Sequence, residues 1–337
     1  MKPLRRISVN RRELVVLVPL LAFLLVAART SGDSKNSPGA PPIPRTVDST
    51  TIVQMQNVDF FVDPQIPLRI RALNGKMRSR AGGPIIFDDK RSFVITVDAA
   101  NVGLTGPALS VLLNKYVFGF KGSPLTNLRV TMSGNHIIQK GTLHKVASMP
   151  FEIRAELSVT PDGRIRIHPI RTEILGLHVD KLMKGLGLSL EKIVNLSRAK
   201  GATVDGNDIF LSPNTILPPP EIEGRVTAVR IEGDQLVMTY GSAATVSRIP
   251  VPDPAAANYM YYRGGTLQFG KLMMLEADMF ITELDPADAF RFDLDRYQPQ
   301  LVAGYSRTLA SGGLEVWMRD IDKLGRGKPA VSAPSLR

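Results

Sequence analysis

Apolar and polar residues alternate along most of this chain. Phe151, Ile153, Ala155, Leu157 and Val159 point one way while Glu152, Arg154, Glu156, Ser158 and Thr160 point the other, the period of a strand with one buried face. Pro161-Asp162-Gly163 then turns the chain into Arg164 to His168, which predicts a hairpin. The same alternation runs through Val58, Phe60 and Val62, through Ile66, Leu68, Ile70 and Ala72, through Phe93, Ile95 and Val97, and through Leu128, Val130 and Met132. Further strands are expected at Thr203-Val204, at Ile209 to Leu211 after an Asp205-Gly206-Asn207-Asp208 turn, and between Gly224 and Tyr240.

Two segments change to helical spacing. Leu109, Leu112, Leu113, Tyr116, Val117 and Phe120 follow Gly106-Pro107 and share one face of a short helix. Val179, Leu182, Met183, Leu186, Leu190, Ile193 and Val194 repeat the stripe over a longer span, kinked near Gly185 and Gly187 and ending near Lys200-Gly201. Strands with two amphipathic helices predict the α+β class.

The ends and seams are compositional. Lys2, Arg5, Arg6, Arg11 and Arg12 precede an uncharged apolar run from Leu14 to Ala28, so residues 1–28 read as an export signal or a retained membrane anchor. Residues 29–48, rich in Ser, Gly and Pro, read as a flexible linker, and residues 49–241 as the main domain. Pro250, Pro252 and Pro254 mark a connector over 242–257, followed by a strand-rich extension over 258–323 with runs such as Thr266 to Phe269 and Leu314 to Met318. Residues 324–337 read as a disordered basic tail.

Composition adds constraints. The 337 residues include no Cys, which excludes disulfides, thiolate metal sites and a lipidated cysteine, so stability outside the cytoplasm rests on packing and backbone hydrogen bonds. Net charge is +11, of which roughly +7 lies beyond residue 13, a basic bias suited to a membrane surface or another envelope polyanion. Arg69, Arg71, Lys76, Arg78 and Arg80 alternate with Leu68, Ile70 and Ala72, giving a strand one basic face and one apolar face. Export and the lack of a recognised binding module disfavour nucleic acid.

Catalytic signals are absent from the pattern. His136, His144, His168 and His178 have no metal-ligand spacing, and no nucleophile elbow, phosphate loop or dinucleotide fingerprint occurs, so neither a metal nor another cofactor is expected. Asp278, Glu283, Asp285, Asp288, Asp293 and Asp295 crowd together near the end, but their spacing fits neither a calcium loop nor a catalytic motif, and a solvated acidic face explains them.

The order of turns from Gly163 to Gly241 resembles the LmeA-like phospholipid-binding family of exported bacterial proteins, a branch of the tubular lipid-binding (TULIP) superfamily. The likeness rests on Asp162-Gly-Arg-Ile-Arg-Ile-His-Pro169, Gly176-Leu-His-Val179, Val204-Asp-Gly-Asn-Asp-Ile-Phe-Leu-Ser-Pro213, Leu217-Pro-Pro-Pro220 and Gly224-Arg-Val-Thr-Ala-Val-Arg-Ile-Glu-Gly-Asp-Gln-Leu236. It implies a long curved antiparallel sheet wrapping amphipathic helices, with acyl chains of a phospholipid held between them. The residues it points to are Leu112, Leu113, Tyr116, Leu182, Met183, Leu186 and Leu190 on the helices and Phe151, Ile153 and Leu157 on the sheet, with Arg69, Arg71 or Arg78 holding a headgroup at the rim. The expectation is a periplasmic or envelope lipid-binding protein and not an enzyme, released or tethered. The alternatives are an envelope scaffold with a packed interior and, third, an envelope enzyme using the C-terminal carboxylates.

Overall fold

The computed structural model describes residues 50–145, 147–178, 189–242 and 248–324. The expected export segment, the linker and residues 325–337 lie outside the described residues, as do Val179, Leu182, Met183 and Leu186 of the longer predicted helix. No helix among the described residues is long and apolar enough to cross a membrane.

The chain opens with a long hairpin of β1 (Thr50–Asp63) and β2 (Ile66–Ser79). After the brief β3 (Ile85–Ile86), β4 (Phe93–Thr105) returns antiparallel along β2. Thr105 ends that strand and starts α1 (Gly106–Leu112), its hydroxyl oxygen accepting the Ala108 N–H at 3.3 Å with Pro107 in the first turn. A π-helical turn, Leu113–Val117, continues the helix. Next come β5 (Leu125–Ser133), β6 (His136–His144), β7 (Ser148–Val159) and β8 (Ile165–Ile174), an antiparallel meander. The short β9 (Leu177–His178) folds back on β8, α2 (Leu190–Ile193) is one turn, and β10 (Ala202–Asp205) and β11 (Asp208–Leu211) form a hairpin. After α3 (Pro213–Ile216) and β12 (Glu221–Glu223), β13 (Val226–Glu232) and β14 (Gln235–Gly241) pair. The last part holds β15 (Tyr259–Arg263), β16 (Thr266–Phe269), β17 (Leu272–Leu275), β18 (Asp278–Glu283) and β19 (Phe290–Asp293). It finishes with α4 (Tyr297–Val302), β20 (Tyr305–Thr308), β21 (Leu314–Met318) and a 3-10 turn, Ile321–Lys323.

These strands make three sheets. The largest has 11 strands along the path β13-β14-β4-β2-β1-β15-β18-β21-β20, with β12 parallel to β4 and β19 parallel to β1. A second sheet of 7 runs β10-β11-β8-β7-β6-β5 with β9 on β8, and a third of 3 runs β17-β16-β3. Residues after Pro254 thus extend the first sheet, because β1 pairs with β15 in the register Val53 with Tyr262 and Met55 with Met260. Aromatic side chains fill the space under the small sheet. Phe87 meets Tyr262 edge-on at 5.3 Å, Phe60 stacks on Phe292 at 5.6 Å, and Phe269 lies 4.2 Å from Tyr297.

The expected α+β architecture is wrong. Strands make up 54% of the structure and helices 11%, so the described residues form a mostly β fold with large sheets and not an α+β fold wrapping amphipathic helices. Two physical reasons account for the difference. The C-terminal strands supply apolar faces and hydrogen-bonding edges that continue the first sheet, so burial comes from strands that the local pattern could not place. The stripe predicted to run to Lys200-Gly201 is helical only at Leu190–Ile193 among the described residues, and the backbone at Val194 is already extended. The first predicted helix is present, 12 residues long counting its π-helical turn. It packs so tightly on β5 that a Cβ on Gly106 would lie 2.4 Å from the Val130 carbonyl oxygen, which explains glycine there.

Candidate functional site

The second sheet buries one apolar face, and α1 with its π-helical turn is fastened to its β5 edge. Ser110 Oγ accepts the Val130 N–H at 2.8 Å, while the Asn114 side chain bonds the Leu128 carbonyl at 2.7 Å and the Leu128 N–H at 2.9 Å. These bonds satisfy β5 backbone groups where its register with β6 shifts between Thr126 and Arg129. They also turn Leu113 and Phe118 toward the sheet, where both are buried.

A short cover closes the concavity from the other side. It begins at α2, whose Leu190 N–H donates to Asn207 Oδ1 at 3.0 Å and whose Glu191 N–H donates to the Gly206 carbonyl at 3.0 Å. The turn between β10 and β11, read from sequence as hairpin chemistry alone, is therefore also the cap of this helix. Lys145 Nζ reaches the Lys192 carbonyl at 2.7 Å and Arg198 the Lys121 carbonyl at 3.3 Å, and Arg198 lies over the Phe120 ring at 4.8 Å.

Between sheet and cover lies an apolar groove. Phe151 and Ile153 from β7, Ile167 from β8, Leu211 from β11, Leu113 from the π-helical turn, and Leu190, Val194 and Leu196 from the cover line it. Gln139 and Thr172 are its polar lining residues among those described. Its cavity volume is about 50 Å³, and it opens to solvent. Four residues expected to contact lipid, Leu113, Phe151, Ile153 and Leu190, thus converge on one groove. Leu112 is fully buried in the core, Leu157 and Tyr116 pack half-buried against it, and none of the three lines the groove. Leu182, Met183 and Leu186 lie outside the described residues. Phe118, Leu143 and Leu196 were not foreseen. Leu196 follows a helix end in irregular backbone, where neither period applies.

Two charged clusters stand outside the groove lining. Asp63, at the turn between β1 and β2, accepts from Lys115 Nζ at 2.6 Å, from Tyr116 Oη at 2.7 Å and from the Gln65 N–H at 3.0 Å. Burial alone pushes the Asp63 carboxyl upward, but these three donors outweigh it and hold the group below the ordinary aspartate value. At the hairpin side, Asp208 meets His168 Nδ1 and Arg166, each at 2.6 Å. Burial again raises, and the hydrogen bonds from His168 and Arg166 lower, with a net depression.

The basic face on β2 does not serve this groove. Arg71 pairs with Glu232 at 2.6 Å, Arg78 with Glu223 at 2.7 Å and Arg69 with Asp234 at 3.9 Å, while Arg80 contacts Glu221. The strand reads as basic in isolation, yet acidic residues around β12 and β13 neutralise it. None of the three proposed headgroup arginines lines the groove.

Fold and site together define a mostly β protein with an apolar groove between its second sheet and the segment over residues 189–198. No family model, curated protein or solved structure matches the chain.

Proposed function

We propose that this chain binds a phospholipid or another acyl lipid in the groove on its second sheet, in a bacterial cell envelope and without making or breaking bonds. The observation that carries the reading is the lining itself: apolar side chains from β7, β8, β11, the π-helical turn and the cover meet around two polar residues. The resemblance of residues 163–241 to a phospholipid-binding family, and the export-like start of the chain, point the same way. Each methylene moved from water into the groove contributes about 0.8 kcal/mol.

Entry requires motion. An apolar cavity of roughly 150 Å³ admits benzene, so about 50 Å³ holds no acyl chain until the cover lifts. Lifting residues 189–198 breaks a handful of hydrogen bonds, some of them exposed. The same small enclosed volume favours the second reading, an envelope scaffold whose interior stays packed.

Native mass spectrometry with lipid extraction, on residues 29–337 purified after export, separates the two. Lipid at a defined stoichiometry, lost in Ile153→Trp and Leu190→Trp, is the expected result. Protein that carries no lipid and takes none from liposomes would overturn the proposal in favour of the scaffold.

A further inference from the structure

We propose that the cavity between the end of β2 and α3 binds a phosphate group, carried by a lipid headgroup or by a water-soluble phosphate. Three cations line it: Arg80 just after β2, Arg91 in the loop before β4, and Lys200 ahead of β10. Its volume is about 510 Å³, within the range of small-molecule sites, and it opens to solvent. None of its residues lines the apolar groove, so this site is independent of the one proposed for acyl chains.

The backbone fixes where these cations stand. The Arg80 N–H donates to the Ser92 carbonyl at 2.8 Å, which closes the loop after β2 and sets Arg80 beside the residue that follows Arg91. Asp89 Oδ1 accepts the Arg91 N–H at 2.9 Å and the Asp89 carbonyl accepts the Ser92 N–H at 2.8 Å, so Arg91 is presented from a tight turn. On the far wall the Gly201 carbonyl accepts the Ser212 N–H at 2.8 Å. Gly201 has φ +66°, and a Cβ there would lie 2.9 Å from the Thr215 Cβ. Glycine therefore lets the chain carrying Lys200 press against α3.

Charge in the cavity is left unbalanced. Glu221, at the start of β12, is the one carboxylate of its lining, and it contacts Arg80. Arg91 and Lys200 form no ion pair among the described residues. Two like charges sharing a cavity repel, and a cleft of one sign with an apolar wall, here Leu217 and Pro219, concentrates the field that draws an anion. The donor set selects which anion. Guanidinium groups match phosphate oxygens two at a time, the Lys200 ammonium adds a point charge, and the Thr215 hydroxyl adds a neutral donor. A phosphate dianion has the charge and the acceptor oxygens to use all of them, whereas a carboxylate monoanion satisfies fewer.

Titration of inorganic phosphate into the exported protein, followed by calorimetry at low salt, tests the site, with acetate as the monoanion control. Wild type should bind phosphate with a Kd of about 1 mM or below and acetate at least about tenfold more weakly, and added salt should weaken both. Arg91→Ala combined with Lys200→Ala removes two exposed cations without an ion pair, so the fold should survive while phosphate affinity falls by about tenfold or more. Lys200→Gln alone decides the matter if the double variant does not fold. Glu221→Gln frees Arg80 and should tighten binding about threefold, a gain that a purely structural role would not produce. Vesicles of phosphatidylcholine, alone or mixed equally with phosphatidic acid, identify the source. Extra binding to the acidic vesicles that the double variant loses marks a lipid headgroup, and phosphate uptake with equal binding to both vesicles marks a soluble phosphate. No phosphate uptake up to about 10 mM without variant-sensitive vesicle binding would overturn the proposal. Phosphate binding indifferent to these cation replacements, or matched by acetate, would overturn it as well.

Discussion

Val194→Ile adds one methylene to the cover at a buried position on the groove wall. The backbone there is extended, φ −116° and ψ 119°, so one β-branched residue replaces another without a change of local preference. The cavity volume is about 50 Å³, and an unfilled cavity costs about 24 cal/mol per Å³, which sets a ceiling near 1.2 kcal/mol on what filling can return. Burial of one methylene contributes about 0.8 kcal/mol of that. The lipid-free variant should therefore melt about 2–3 °C higher, by calorimetry or circular dichroism, while the lipid recovered by native mass spectrometry falls. Ile167→Val on the opposite wall should do the reverse, costing about 0.5–1.5 kcal/mol and leaving lipid capture intact. The reasoning is refuted if Val194→Ile lowers the melting temperature, because overpacking would mean that no space lies behind the cover.

Three further outcomes follow from the same contacts. Asn114→Ala removes both bonds to the Leu128 backbone and leaves part-buried groups of β5 unsatisfied, so denaturant unfolding should show a loss of about 1–3 kcal/mol, and hydrogen exchange at Leu128 should rise. Asp63 has a carboxyl held below its unfolded value of 3.8, so its contribution is complete above that pH and disappears as acid carries the protein down through the folded value. Asp63→Asn should flatten this acid limb of the melting temperature while leaving its slope near neutrality unchanged. Arg71→Ala breaks an exposed pair away from the groove, so lipid stoichiometry should not change; a loss of lipid would return the headgroup role to β2.

Local alternation carried much of the second sheet. The Phe151 to Val159 strand, its turn and the return through Ile167 form as the sequence implied, because a period of two with Pro-Asp-Gly between is enough to specify a hairpin. Phe151, Ile153, Leu113 and Leu190, which the family resemblance pointed to, lie on apolar faces of short periodic runs and line the groove. What failed was long-range pairing. The contact of Val53 with Tyr262 leaves no mark in either segment, and the parallel seam of β1 with β19 places Val58 beside Phe290. Patterns that repeat every two residues state which face is buried, but never against which partner. That gap, with a helical stripe read too long, turned a mostly β chain into an expected α+β one.

The charged residues failed for the same reason, in opposite directions. Arg69, Arg71 and Arg78 looked like a free basic face until Asp234, Glu232 and Glu223 were brought alongside. Glu283 and Asp288 looked like solvated acids with no ligand spacing, because Asp320 reaches them only through the pairing of β18 with β21. A charge's meaning depends on what the fold places within a few ångströms of it, where the Coulomb term is largest and least screened. Sequence spacing reveals a site when its ligands share one loop or one helix face. Here Asn258 on one side of β15 and Asp320 after β21 complete an arrangement that local spacing could not express. The groove's strand faces were partly legible because hydrophobic faces are periodic; the meeting of Glu283, Asp288 and Asp320 around Lys323 was not, because convergence of charge depends on strand order.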